Sequence, residues 1–312
     1  MFRRLDARTG AVRWETNVRG NAPKYFFHGD VFVAPDRVIA SSDVDPGTGI
    51  EAGVHAFDRD SGRELWKYPA GRGVLGALIG SGSRVFSYTS TGDLIALSAD
   101  SGKLEWRYSL GAGAWDSPAA LGLRVFAGSN DGSVYSFDSE NGHVEWQRKL
   151  GAPISTSLRT GESSIYAGTN DGLLHRIGVS NGEELASLKL DPALKPSTAP
   201  LVSQDAVFVL LADAGAEHRA LVSVDPALRG VKWRRLAADR WTTTRVFATS
   251  KTIVLGTPSG EVTAYCKSDG SPAWSQKLST VAIRAIGGTD DILFVGTPQG
   301  TLYAVRPPAA CI

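Results

Sequence analysis

Five histidines (His28, His55, His143, His175 and His218), two cysteines (Cys266 and Cys311) and the stretch Asp43-Val44-Asp45-Pro46-Gly47 are the residues best suited to chemistry. They do not assemble a reaction centre in the sequence. The histidines are dispersed, and no Gly-x-Ser-x-Gly elbow or His-Glu-x-x-His pair occurs. The aspartate stretch lacks the alternating oxygen ligands and distal Glu of an EF-hand calcium loop. No catalytic residue, metal or cofactor is assigned. The side chains left over are suited to binding: Trp115, Asp116, Trp241, Arg245, Arg284, Lys24, Asn130 and Asn170 form the candidate ligand or partner set. Trp115 and Trp241 have two readings, as packing that plugs a channel or as a stacking platform at a concave mouth. Lys24, Arg245 and Arg284 are either solvated side chains or a convergence on an anionic ligand.

Composition removes some partners. The chain has 312 residues, with 33 Lys and Arg against 32 Asp and Glu, a net charge of +1. Such balance argues against nucleic acid, which requires clustered positive charge. No apolar run approaches the length of a membrane span, so no membrane insertion is expected. The first residues, Met1-Phe2-Arg3-Arg4-Leu5-Asp6, carry no apolar signal core. Both a trimmed precursor and a natural start fit them, and they leave the compartment open.

The elements that position these residues come from a repeat. An apolar residue, often Asp, then Gly, three residues and Trp recur as Leu5-Asp6 with Gly10 and Trp14, Phe57-Asp58 with Gly62 and Trp66, Leu97-Ser98 with Gly102 and Trp106, and Phe137-Asp138 with Gly142 and Trp146. Degenerate copies follow at Ile177 with Gly182, Val224-Asp225 with Gly230 and Trp233, and Tyr265 with Gly270 and Trp274. The commonest interval is about forty residues, a repeat-protein period. Between copies the residues alternate or run apolar for short stretches, with turns such as Ser129-Asn130-Asp131-Gly132 and Thr169-Asn170-Asp171-Gly172, which predicts strands and hairpins. Four strands, A to D, fit each repeat. Units this small cannot bury both sheet faces alone, and radial closure hides them.

The expected fold is therefore all-β: a seven-bladed β-propeller of four-stranded antiparallel blades, one domain over residues 1–312. The blades fall at about 21–68, 70–108, 110–148, 150–190, 194–236, 238–278 and 279–306. The seventh is expected to take its outer strand from residues 5–18, closing the ring. In the shared phrase, Asp6, Asp58, Asp138 and Asp225 should bond the C-to-D turn, Gly should take a positive-φ corner, and Trp should pack on the next blade.

The phrase Leu5-Asp6-Ala7-Arg8-Thr9-Gly10-Ala11-Val12-Arg13-Trp14 resembles the repeat of the PQQ-like propellers, the superfamily of the quinoprotein dehydrogenases and of the BamB-like propellers of outer-membrane assembly. The resemblance implies the fold, a bacterial periplasmic or cell-envelope setting, and a choice between scaffold and enzyme. A quinoprotein dehydrogenase would carry PQQ, calcium ligands, a catalytic Asp and a disulfide between adjacent cysteines. Here the cysteines are far apart and most loops are short. The favoured reading is a monomeric, non-enzymatic scaffold for a protein partner or small ligand. The alternative is a PQQ-dependent enzyme or another catalytic propeller with a loop-borne site.

Two further expectations concern loops and thiols. The B-to-C connections are enlarged at 42–53 and 213–219, on the face expected to hold Trp115 and Trp241, and insertions in repeat proteins tend to decorate a binding face. That face is the candidate interaction surface, and the uniform C-to-D turns are not. Cys266 and Cys311 are expected to be free thiols, their places on neighbouring blades being too distant for a disulfide.

Overall fold

The computed structural model describes residues 2–16, 25–44, 52–71, 73–114, 117–215, 217–237, 241 and 246–311, with the backbone alone for 25–30, 43, 44 and 75. The chain divides into two compact units, Met1–Pro153 and Ile154–Ile312. All described regular structure is strand.

The first unit opens with a hairpin, Phe2–Leu5 against Val12–Thr16. Three four-stranded antiparallel sheets follow, each in chain order from A to D. The first comprises Tyr25–Val33, Arg37–Val44, Gly53–Asp58 and Glu64–Pro69; the second Val74–Ser81, Arg84–Thr89, Asp93–Ser98 and Leu104–Ser109. The third comprises Ala119–Leu121, Arg124–Gly128, Ser133–Asp138 and Val144–Lys149.

The second unit holds four sheets. The fourth is Arg159–Thr160, Ser164–Gly168, Leu173–Gly178 and Glu184–Lys189. In the fifth, Lys195–Pro196 and Leu201–Val202 both pair with Val207–Ala212, followed by Arg219–Val224 and Val231–Leu236. The sixth is Phe247–Ala248, Thr252–Gly256, Glu261–Cys266 and Pro272–Lys277, and the seventh has three strands, Ala285–Gly288, Leu293–Gly296 and Leu302–Val305. Seven sheets make the seven blades expected from the repeat.

Middle strands are buried on both faces, as in the second sheet, where Val85, Phe86, Ala96 and Leu97 are at most 1% exposed. Their apolar runs therefore read as continuous rather than alternating. Between strands C and D the register slips at the same place in most sheets, for example between Ser136 and Phe137 and between Ala264 and Tyr265. Such a bulge twists the outer strand and turns its Trp toward the next sheet.

Val12–Thr16 pairs along one edge with Phe2–Leu5 across a short turn, in which Asp6 Oδ1 accepts Arg8 N and Thr9 N and Gly10 takes φ 71°. One expectation changes here. The cysteines are not free: Cys266 and Cys311 form a disulfide, with Cα atoms 5.7 Å apart. After Val305 the chain passes Pro307-Pro308 and lies back along the C-to-D turn of the sixth sheet. Repeat spacing does not describe that path.

Candidate functional site

The repeated phrase builds a seat between successive sheets. Asp58 Oδ1 accepts the N–H groups of Asp60 and Ser61, and Asp138 Oδ1 those of Glu140 and Asn141, fixing the C-to-D turns. The hydrogen bonds from Ser61 hold the Asp58 carboxyl below its usual range. Four of the phrase's tryptophans cross to the following turn, where the indole N–H donates to a carbonyl: Trp14 to Arg59 (2.9 Å), Trp66 to Ala99 (3.1 Å), Trp106 to Ser139 (3.1 Å) and Trp233 to Lys267 (2.9 Å). A Cβ on Gly62, Gly102, Gly142 or Gly270 would strike the indole of Trp14, Trp66, Trp106 or Trp233 at 2.3–2.6 Å. The glycine serves both its positive φ and this close approach. The fifth turn departs from the pattern, since Leu228, at φ 59°, occupies the left-handed corner there.

Of the binding set, Lys24, Trp115, Asp116 and Arg245 lie outside the described residues. Trp241 is not a surface aromatic: it is 1% exposed and packs among Phe208, Leu210, Leu221, Ile253 and Leu255, edge-on to Tyr265. Trp241 fills the gap between the fifth and sixth sheets, where burial of an indole is worth more than display. Asn130 donates from Nδ2 to Ala112 O (3.2 Å), and its own N–H donates to Gly113 O, so it ties a B-to-C turn to the preceding D-to-A connection. Asn170 and Arg284 are exposed. Within the second unit, Asn170 and Arg284 lie at the surface and Trp241 in the core, so the structure does not bring Trp241 together with either.

The enlarged connection at 213–219 is a built protrusion. Asp213 accepts Glu217 N (2.8 Å) at Oδ1 and faces His218 Nδ1 (2.8 Å) at Oδ2, while its N–H donates to His218 O (3.2 Å). The His218 bond holds the Asp213 carboxyl low. The His218 side chain is 81% exposed.

Two histidines that looked scattered occupy one repeat position. His55 Nδ1 faces Glu64 Oε1 at 2.8 Å and its Nε2 faces Ser42 Oγ at 3.0 Å; His175 faces Glu184 at 2.8 Å and Thr169 at 3.1 Å in the same way. The order hydroxyl, imidazole, carboxylate matches a nucleophile relay. Its placement does not. Ser42 and His55 are fully buried, Ser42 Oγ is also engaged by the N–H and carbonyl of Gly53, and the unit recurs in another sheet. These are struts between strands B, C and D. The signal was a His nine residues before a Glu at one repeat phase.

Two hollows lie on the A-to-B and C-to-D turn side of the second unit. One, of about 440 Å³, is lined by Asp205, Lys232, Lys251, Lys267 and the Cys311 tail; the other, of about 690 Å³, by Trp274, Asp290, Asp291 and residues 306–310. Burial pushes the Lys267 ammonium down, opposed by Asp290 and Asp205. Lysines and aspartates interleave there, so the first hollow has no single sign.

Among the described residues no three of His, Cys, Asp and Glu cluster as metal ligands, and the disulfide joins residues 45 apart rather than neighbours.

Sheets joined by this Asp, Gly and Trp seat define a PQQ-like β-propeller. The chain belongs to the family described as outer membrane protein assembly factor BamB, which it matches over residues 50–211, 160–285 and 217–307. No curated protein matches the sequence. Among solved structures it is similar to BamB from Moraxella catarrhalis (TM-score 0.67, 16% identity, 93% of this chain and 92% of that one). It is also similar to the computationally designed protein Ika8 (0.74, 14%, 97% and 89%). A third is the quinohemoprotein alcohol dehydrogenase ADHIIG from Pseudomonas putida (0.70, 14%, 93% and 66%). At such identities these likenesses speak to the fold.

Proposed function

We propose that this chain is a non-enzymatic scaffold of the bacterial cell envelope that holds a protein partner on the face formed by its B-to-C connections. The observation that carries the reading is the 213–219 protrusion. Repeat folding alone requires only a short turn at this point, as at Ser129–Gly132. Here a longer exposed loop is braced in one shape by its own carboxylate. Preorganised loops bind with less ordering cost, and function on repeat scaffolds concentrates in such loops. Family membership supports an assembly role at the envelope. Arg284 and Asn170 belong to the same proposed face, and Trp241 supports it from beneath as packing.

The test is site-specific photocrosslinking in envelope extracts of the source organism. A photoreactive residue at Glu217 should capture one discrete partner, and one at Asn141, in a C-to-D turn, should not. Equal capture from both positions would contradict the assignment. Dye-linked dehydrogenase activity after incubation with PQQ and calcium would favour the enzymatic alternative.

A further inference from the structure

The sixth C-to-D turn departs from the repeat at one residue. Cys266 stands where the first, third and fifth sheets carry Asp58, Asp138 and Asp225, at the close of strand C. Its backbone bonds are those of the repeat: Cys266 N donates to Ser271 O (2.9 Å) and Gly270 N to Cys266 O (2.9 Å), as Asp58 N does to Arg63 O and Gly62 N to Asp58 O. Side-chain support comes from Asp269, whose Oδ1 accepts Ser271 N (2.9 Å) and the Ser271 hydroxyl (2.7 Å). The turn is therefore formed without the disulfide, and the Cys266 side chain serves something other than the turn.

What it holds is a strap. Beyond Val305 the chain leaves the seventh sheet, and Cys311 is bonded to Cys266. Pro307 and Pro308 have no N–H to donate, and within the second unit the disulfide, rather than hydrogen bonds or ion pairs, ties 306–311 to the sixth sheet. The strap walls both hollows: residues 306–310 line the larger and Cys311 the smaller, while Ser250 and Lys251 line the two together. Cys266 is 7% exposed and Cys311 is half-buried at the smaller hollow, so an incoming thiolate meets Cys311 first. Cys311 also takes φ 61°, a left-handed conformation unfavourable for a residue with a Cβ, which it can leave once the bond opens. Accessible disulfides of this kind are the labile ones.

We propose that the Cys266–Cys311 disulfide is a thiol-exchange site for a dithiol reductant, and that its opening frees residues 306–311 and joins the two hollows into one trough over Ser250 and Lys251. A thiolate of the dithiol attacks Cys311 Sγ, forming a mixed disulfide and expelling Cys266 as a thiolate, which takes up a proton. The second thiolate then attacks the reductant's own sulfur in the mixed disulfide and releases Cys311, which is protonated in turn. Two electrons pass to the protein, which gains two thiols, and the dithiol leaves as a disulfide. The sixth sheet persists, because the turn at 266–270 keeps its backbone bonds and its Asp269 support. The site lies on the A-to-B and C-to-D turn side, so the proposal stands or falls independently of the 213–219 protrusion.

The test uses the full oxidised chain with dithiothreitol as the dithiol. Disulfide opening is followed by alkylation and mass spectrometry over a series of urea concentrations below the unfolding transition. A rate independent of urea is expected, as for reaction through local opening. Hydroxyl-radical labelling should then rise several-fold at Trp274, Pro307 and Pro308 in the reduced protein and stay unchanged at Trp233. Cys311→Ser should show the same labelling without reductant, with a cooperative melt establishing that it folds. The proposal is overturned if opening accelerates with urea in step with global unfolding, which is how a purely structural staple behaves. It is overturned equally if Trp274 and the two prolines are labelled alike before and after reduction. Should Cys311→Ser not fold, the labelling of the reduced native sequence decides alone.

Discussion

The seat between sheets makes a quantitative prediction at Trp106 and Gly142. Trp106 is 9% exposed, donates to Ser139 O, and lies 5.6 Å from the Phe86 ring and 6.0 Å from that of Phe137. Truncating it to Ala should cost about 3–5 kcal/mol. Gly142→Ala places a methyl 2.6 Å from the indole at φ 73°. Left-handed strain of about 1–2 kcal/mol and overpacking of about 1–3 kcal/mol then add. With Trp106 already Ala the overpacking vanishes and only the strain remains. The double variant should therefore be more stable than the sum of the singles by about 1–3 kcal/mol, read from urea denaturation of all four proteins. Additivity within about 0.5 kcal/mol would mean that ring and glycine do not share one seat.

Other outcomes follow from particular groups. The disulfide spans 45 residues, so its reduction should cost about 4 kcal/mol on the loop-entropy scale, and titration of the unfolded, unreduced protein should find no free thiol. Trp241→Ala should lower stability by about 3–5 kcal/mol in denaturant melts, because the ring is core. Asp58 is held low by Ser61 and Asp213 by His218, and at Asp93 the bonds from Arg107 and Thr91 outweigh a burial that would raise it. Folded carboxyls below the ordinary 3.8 contribute stability that is fully present above that value and lost as pH falls through the lower folded values. Melting temperature should thus hold from about pH 7 to 5 and drop below about pH 4; a protein as stable at pH 3 as at pH 6 would contradict this. Asp213→Ala should weaken partner capture at Glu217 several-fold with little change in melting temperature.

The fold was legible because its spacing signal repeats: the seat that Gly142 makes for Trp106 recurs at Gly62, Gly102 and Gly270, and short apolar runs placed the strands. Periodicity failed where the chain leaves the period. Gly230 is separated from Trp233 by two residues rather than three, and Leu228 takes the left-handed corner of the fifth turn. Cys311 lies beyond the last repeat, so no spacing rule describes its path to Cys266. Trp241 left packing and platform both open, because alternation says nothing about how deeply a side chain in a connection is buried. The pairing of His55 with Glu64, echoed by His175 and Glu184, was present in the sequence and visible only once both were set at one repeat phase.

The central claim is that this propeller binds a protein through its B-to-C connections. Hydrogen-exchange mass spectrometry of the chain with and without the partner captured from Glu217 tests it directly. Slowed exchange at 213–219, with the C-to-D turns at 58–62, 138–142 and 266–270 unchanged, is the predicted result; protection of those turns with 213–219 unaffected would contradict it.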